Sequence, residues 1–159
     1  MQIAAWNVRG LNQAPKQLEV RSFISSQKLM LVALLETRVQ ERHAGDISHN
    51  IMPGWNWEFN YDTCGGGRIW VGYDSNALSV LTSFKSDQVI HIIVSSAVLP
   101  SPLVISCIYA RNEEVDQARL WNSLTGLGGS TASDPWLLLE ISMCVAIILR
   151  CEVATPLSL

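Results

Sequence analysis

Three apolar runs in the chain stop at a polar side chain: "IAAW" at Asn7, "LVALL" at Glu36 and "VISCI" at Tyr109. A carboxamide, a carboxylate and a phenol delivered to the ends of buried strands are the material of an active site in a layered α/β fold, because strands end and loops converge there. Each residue also has an ordinary structural explanation. Asn7 reads equally as a turn former, Glu36 as a solvated strand end paired with Arg38 or another neighbour, and Tyr109 as a core aromatic whose hydroxyl reaches the rim. A fourth apolar run, "PWLLL", leads into Glu140, Ile141, Ser142 and Met143.

The elements that must present these residues follow from hydrophobic patterning. "IAAWNV" (3–8), followed by Gly and Pro punctuation, predicts a strand and a loop. Leu18, Val20, Phe23 and Ile24 fall near helical spacing and predict an amphipathic helix over 16–26. "LMLVALLE" (29–36) is the continuous run of a strand buried on both faces, so strand, helix and strand form a crossover unit. The runs "WNWEFNY", "GRIWVGYD", "ALSVLTSF", "QVIHIIVSSAVL" and "LVISCIYA" are rich in β-branched and aromatic residues and predict neighbouring, mostly antiparallel strands. "NEEVDQARLWNSLTGL" (112–127) predicts a helix with Asn112 as N-cap and Val115, Ala118, Leu120, Trp121 and Leu124 as its apolar positions, ended by Gly-Gly-Ser at 128–130. "PWLLL" starts one more strand. With no internal repeat, the pattern is that of one α/β unit with a strand-rich middle.

Composition narrows the function classes. The 159 residues, 48 % apolar and 16 % charged, suit one folded globular domain. A net charge of −3 gives no general attraction to polyanions, so any nucleic-acid contact must be local or helped by a metal. Cys64, Cys107, Cys144 and Cys151 form no C-x-x-C pair and read as reduced, mostly buried thiols rather than a zinc site or disulfide framework. The start "MQIAAWNV" lacks the features of a secretory signal, so secretion is not expected. The segment 136–149 is shorter than the roughly 18 to 20 apolar residues of a bilayer span and contains Glu140, so no membrane partner is expected.

The blocks "WNVRGLN", "LVALLETRV", "GRIWVGYD", "CIYARNEE" with "RLWNSL", and "DPWLLL" occur in the order and at roughly the spacing of the endonuclease/exonuclease/phosphatase superfamily. The chain most closely resembles the N-terminal endonuclease domain of plant LINE-type (non-LTR) retrotransposon polyproteins. The resemblance covers residues 1–139, and residues 140–159 read as a divergent apolar tail. It implies a partial four-layer α/β sandwich, two mostly antiparallel β-sheets flanked by helices, lacking the C-terminal part. It further implies Mg²⁺- or Mn²⁺-dependent hydrolysis of DNA phosphodiesters, as in retrotransposon target nicking, with nuclear action and no small-molecule cofactor. By position, Asn7 matches the family's asparagine at the metal and nucleophile site, Glu36 its metal-holding glutamate, and Tyr109 its tyrosine near the scissile phosphate. Arg9, Arg38, Arg68 and Arg111 are candidates for phosphate contacts, each equally readable as a surface arginine. These residue types suit the implied chemistry. A hard divalent cation prefers carboxylate and amide oxygens and neutralises charge developing on a phosphate, which lets an acidic protein act on nucleic acid.

In this family the strand reading "PWLLL" is followed by Gly-Asp-Phe-Asn, whose Asp activates the attacking water and whose Asn helps bind the phosphate. Here Glu140 stands where Gly belongs, Ile141 where Asp belongs and Met143 where Asn belongs. Glu140 comes one residue early, and successive residues of an extended chain point to opposite faces. The family's terminal Ser-Asp-His has no counterpart either, since residues 141–159 contain no Asp and no His, while His43, His49 and His91 lie upstream at unmatched positions. A positioned acid or base contributes about 10² to 10⁴ in rate. The expectation is therefore an endonuclease relative that is inactive as it stands, holding at most one metal weakly, with DNA binding weak or lost. Two alternatives stay open: a non-catalytic module that binds nucleic acid or a protein through an exposed sheet edge, and a phosphatase-type member of the superfamily.

Overall fold

The computed structural model describes residues 1–63, 67–111, 113–130, 135–140 and 146–150, the last five and residues 129–130 by backbone only. Along the chain run β1 (Gln2–Asn7), α1 (Ala14–Ser26), β2 (Leu31–Leu35), α2 (Glu41–Ile51), β3 (Asn56–Phe59) and β4 (Ile69–Tyr73). They are followed by β5 (Ser79–Lys85), β6 (Val89–Ser95), β7 (Leu103–Ile108), α3 (Glu114–Ser130), β8 (Trp136–Glu140) and β9 (Ala146–Arg150). The strands form two sheets, ordered β3-β4-β2-β1-β9 and β5-β6-β7-β8. Among the described residues β1/β2 and β7/β8 pair in parallel and the other neighbours are antiparallel.

Period-two alternation explains the layering. Leu31, Ala33 and Leu35 of β2 face the second sheet, where they meet a core that includes Ile90, Ile92, Ile105 and Cys107. Val32 and Leu34, on the other face, pack with Val20 and Ile24 of α1 and Ala44, Ile47 and Ile51 of α2. Leu120 and Leu124 of α3 cover Val89 and Ile108 on the outer face of the second sheet. The result is four layers, helix, sheet, sheet, helix, as the resemblance implies. Among the described residues no helix is long and apolar enough to cross a membrane.

Several elements differ from their sequence-based expectation. Leu18 is 62 % exposed, so α1 is anchored by Val20 and Ile24 one turn apart, with Phe23 against Trp6 at 5.0 Å. Helix α2 had no counterpart in the patterning above, although Ala44, Ile47, Ser48 and Ile51 form an i, i+3, i+4, i+7 stripe, all buried. In α3 the buried stripe is Asp116, Leu120 and Leu124, whereas Val115, Ala118 and Trp121 are exposed. Buried Asp116 is tolerated because Arg111 and Arg119 pair with it. The helix also runs through Gly128 to Ser130 instead of ending there. A β-carbon at Gly128 would come within 2.9 Å of the Trp136 ring, so the small residue lets α3 lie against β8.

Glu140 closes β8, and residues 146–150 pair antiparallel with β1 as β9. Residues 141–145 and 151–159, with Cys64, Asn112, Cys144 and Cys151, lie outside the described residues. Cys107 is a buried free thiol whose pKa is pushed up to about 12 by burial, which makes it unreactive at neutral pH.

Candidate active site

Because β1 and β2 are adjacent and parallel, both deliver their C-terminal residues to the same rim, with Asn7 in register with Leu35, the residue before Glu36. Pairing continues past the strands. Val8 N–H donates to the Leu35 carbonyl at 2.9 Å, Gly10 N–H to Glu36 at 2.8 Å and Leu11 N–H to Thr37 at 2.8 Å. These bonds hold three non-glycine residues in the left-handed region, Arg9 at φ 49°, Glu36 at 54° and Arg38 at 54°. Such conformations cost of order 1 kcal/mol each, and they persist where surrounding structure enforces them, often at functional sites.

The side chains interlock. Asn7, 1 % exposed, donates from Nδ2 to Glu36 Oε1 at 3.1 Å, and its Oδ1 accepts the Arg9 N–H at 3.2 Å. Glu36 Oε2 accepts from Arg38 Nη2 at 2.9 Å. The ordinary reading of Glu36, a carboxylate paired with Arg38, therefore holds alongside the strand-end cluster. Asn12 Nδ2 adds a bond to the Arg38 carbonyl at 2.9 Å.

A second set of contacts runs from this rim through the residues before β4 to the second sheet. Buried Thr37 donates from Oγ1 to the Gly67 carbonyl at 2.8 Å, and its N–H reaches the Arg68 carbonyl at 3.4 Å. The Arg68 guanidinium lies 5.8 Å from the centre of the Tyr109 ring, a cation–π contact. Tyr109, just past β7, is fixed by its N–H to the Gln88 carbonyl at 2.9 Å. Asn7, Glu36, Arg9 and Arg38 thus form one cluster, linked through Thr37 to Arg68 and Tyr109. Arg111 belongs elsewhere: it pairs with Asp87 at 3.1 Å and Asp116 at 3.6 Å at the start of α3.

Sequence patterning missed Thr37 and Asn60. Asn60, fully buried after β3, accepts Gly67 N–H at 2.8 Å and Ile69 N–H at 3.0 Å and donates to the Ser86 and Asp87 carbonyls at 3.0 and 3.3 Å. The available signal was the one that flagged Asn7, an amide closing an apolar run. Tyr61, beside it, donates to the Val39 carbonyl at 2.9 Å and accepts from Trp70 Nε1 at 3.2 Å. Burial raises the Tyr61 pKa, with the Trp70 hydrogen bond opposing that shift and the Glu41 charge adding to it.

Among the described residues no group of three or more His, Cys, Asp or Glu side chains is placed to hold a metal. The rim nevertheless suits a hard cation of the magnesium type, which is commonly held through one or two carboxylates with water and substrate phosphate completing the shell. Glu36 could supply such a carboxylate, and the Asn7 amide orients it. A separate cavity of about 330 Å³ between α2 and β3, lined by Glu41, Trp57, Tyr61, Asp62 and Lys85 among others, includes neither residue.

No protein-family model and no curated sequence matches the chain. Solved structures do. The chain is similar to the human Nocturnin catalytic domain with bound sulfate, with a TM-score of 0.64 and 13 % identity over 87 % of this chain and 62 % of that one. It is equally similar, at TM-score 0.64 and 8 % identity, to the endonuclease domain of TRAS1, a telomere-specific non-LTR retrotransposon, over 86 % of this chain and 58 % of that one. Humanized D. rerio TDP2 follows at TM-score 0.57 and 12 % identity, over 85 % of this chain and 57 % of that one. The chain thus spans less than two thirds of each of these structures. At such identities the likeness is one of architecture, and the architecture of this chain is the endonuclease/exonuclease/phosphatase fold.

Proposed function

We propose that the chain carries the metal-holding half of a phosphodiester-hydrolysing site of the retrotransposon-endonuclease type, without the half that activates water. The observation that carries this reading is the hydrogen bond from Asn7 to Glu36, 3.1 Å long, at the ends of two adjoining parallel strands. Glu36 would hold Mg²⁺ or Mn²⁺, which when bound supplies positive charge against a DNA phosphate. Asn7 keeps the carboxylate oriented, Arg68 and Arg9 offer donors to the phosphate oxygens, and Tyr109 lines the approach from the second sheet. Arg111, committed to Asp87 and Asp116, is a structural residue in this scheme. DNA in the nucleus is the substrate such a site would meet.

The deficiency is read from the residues after β8. Ile141 and Met143 stand where an acid and an amide would be needed to orient water and phosphate. Nicking of supercoiled plasmid by the purified chain in Mn²⁺ should therefore be at or near background, while Mn²⁺ binding, followed by electron paramagnetic resonance, should be lost in Glu36→Ala. Strong nicking that EDTA and Glu36→Ala both abolish would show the site to be complete after all. Binding of Mn²⁺ that is indifferent to Glu36 would remove the metal-holding role.

A further inference from the structure

We propose that Arg38 is an internal counter-ion of Glu36: it competes with a divalent cation for the carboxylate and, once displaced, becomes a donor to the phosphate. This rests on the reading of Glu36 as the metal-holding residue.

Both oxygens of Glu36 are engaged, Oε1 by Asn7 and Oε2 by Arg38 at 2.9 Å. The two partners differ in how readily they can leave. Asn7 is buried in β1 and pinned by the Arg9 amide. The Arg38 side chain is 55 % exposed against 18 % for Glu36, and ion pairs this open to water shift an equilibrium by less than about tenfold. Oε2 is therefore the oxygen a cation can take, and Arg38 the group that gives way.

The backbone keeps Arg38 close after it leaves. Glu36 and Arg38 share the left-handed conformation on either side of Thr37, which is clipped to Gly67 and Arg68, and Asn12 holds the Arg38 carbonyl. A freed guanidinium on this tether remains beside the metal-holding carboxylate, and its fork of donors matches phosphate oxygens. Cation and phosphate would then bind with positive coupling through one side chain, reciprocally for both.

The sign of one measurement separates this role from a structural one. Mn²⁺ affinity of the full chain is measured by electron paramagnetic resonance for wild type, Arg38→Gln, Arg38→Lys and Glu36→Gln, with circular dichroism melts confirming that each is folded. Removing a competing cation should tighten Mn²⁺ binding in Arg38→Gln by about two- to fivefold. Arg38→Lys, which keeps the charge, should stay near wild type, and Glu36→Gln should lose the site. An Arg38 that merely props Glu36 in place predicts weaker binding in Arg38→Gln. Unchanged or weaker affinity in that variant, with binding still dependent on Glu36, overturns the proposal and leaves the metal-holding reading intact. Binding unaffected by Glu36→Gln, or absent from both wild type and Arg38→Gln, overturns the metal-holding reading and the proposal with it.

Discussion

Replacing Asn60 by alanine tests whether the two sheets are fastened at the rim by a single carboxamide. An amide offers two acceptor lone pairs and two donor hydrogens, and Asn60 uses all four, on Gly67, Ile69, Ser86 and Asp87. The losses are unequal. Gly67 N–H keeps a second acceptor in the Asn60 backbone carbonyl at 3.1 Å, so it is not orphaned. Ile69 N–H is in a fully buried residue at the start of β4, and an unpaired buried donor costs about 1–3 kcal/mol. The Ser86 and Asp87 carbonyls belong to half-buried residues that regain water, so each loses only a net bond of about 0.5–1.5 kcal/mol. The sum of about 2–6 kcal/mol is a large share of the roughly 5–15 kcal/mol that holds a domain together, and corresponds to a fall in Tm of roughly 4–24 °C. Urea titrations followed by tryptophan fluorescence and far-UV circular dichroism measure it. Asn60→Asp should also destabilise, because it keeps both acceptor bonds but sets an oxygen against two carbonyls. A loss below about 0.5 kcal/mol in Asn60→Ala would refute the clip, since no arrangement that strands the Ile69 amide is that cheap.

Two further outcomes follow from side chains outside the rim. Trp136 Nε1 donates to Ser106 Oγ at 2.9 Å, and the same Oγ lies 2.6 Å from His91 Nδ1, so the buried imidazole is held in a side-chain network. Burial lowers the His91 pKa below 6.5, so only the unfolded chain takes up this proton as pH first falls. Its contribution is complete above pH 6.5 and is lost as pH drops to the depressed native value; His91→Asn should flatten that part of the urea-midpoint profile, and equal slopes in both proteins would show that His91 titrates normally. Gly72→Ala brings a β-carbon to 2.6 Å from the Trp57 ring, which packs edge-on against Trp70 at 6.1 Å. The ring must shift, at about 1–3 kcal/mol, with a changed near-UV spectrum; Trp57→Phe in the same chain should recover part of the loss.

What the sequence made legible was whatever a local pattern encodes. Asn7 and Glu36 stood out because each ends an apolar run, and a parallel pairing of those runs brings them together automatically. Helix α2 was encoded just as locally, by Ala44, Ile47, Ser48 and Ile51, but its short stripe sits among charged residues. Trp121 and Val115 misled for the opposite reason: apolar residues on α3 read as its core face, whereas the helix buries a charged Asp116 that only its two arginines make acceptable. The Asn60 and Thr37 clips were out of reach because the carbonyls they donate to lie 26 to 30 residues away, at positions set by strand pairing and sheet stacking.

The place of β1 in its sheet bears on the order in which the molecule can assemble. Its partner on one side, β2, is about 28 residues away in the chain, whereas its partner on the other, β9, is about 145 residues away, a closure costing about 1.5 kcal/mol more in chain entropy. During synthesis at about 5–20 residues per second, the strand that carries Asn7 waits roughly 5 to 20 s after β2 is made before β9 exists. For that interval the edge that β9 comes to cover has no strand partner among the described residues, and unpaired edges recruit other chains. The Asn7–Glu36 pair is thus written between residues 7 and 36, yet the strand bearing one half of it is flanked on both sides only once residues 146–150 have been made.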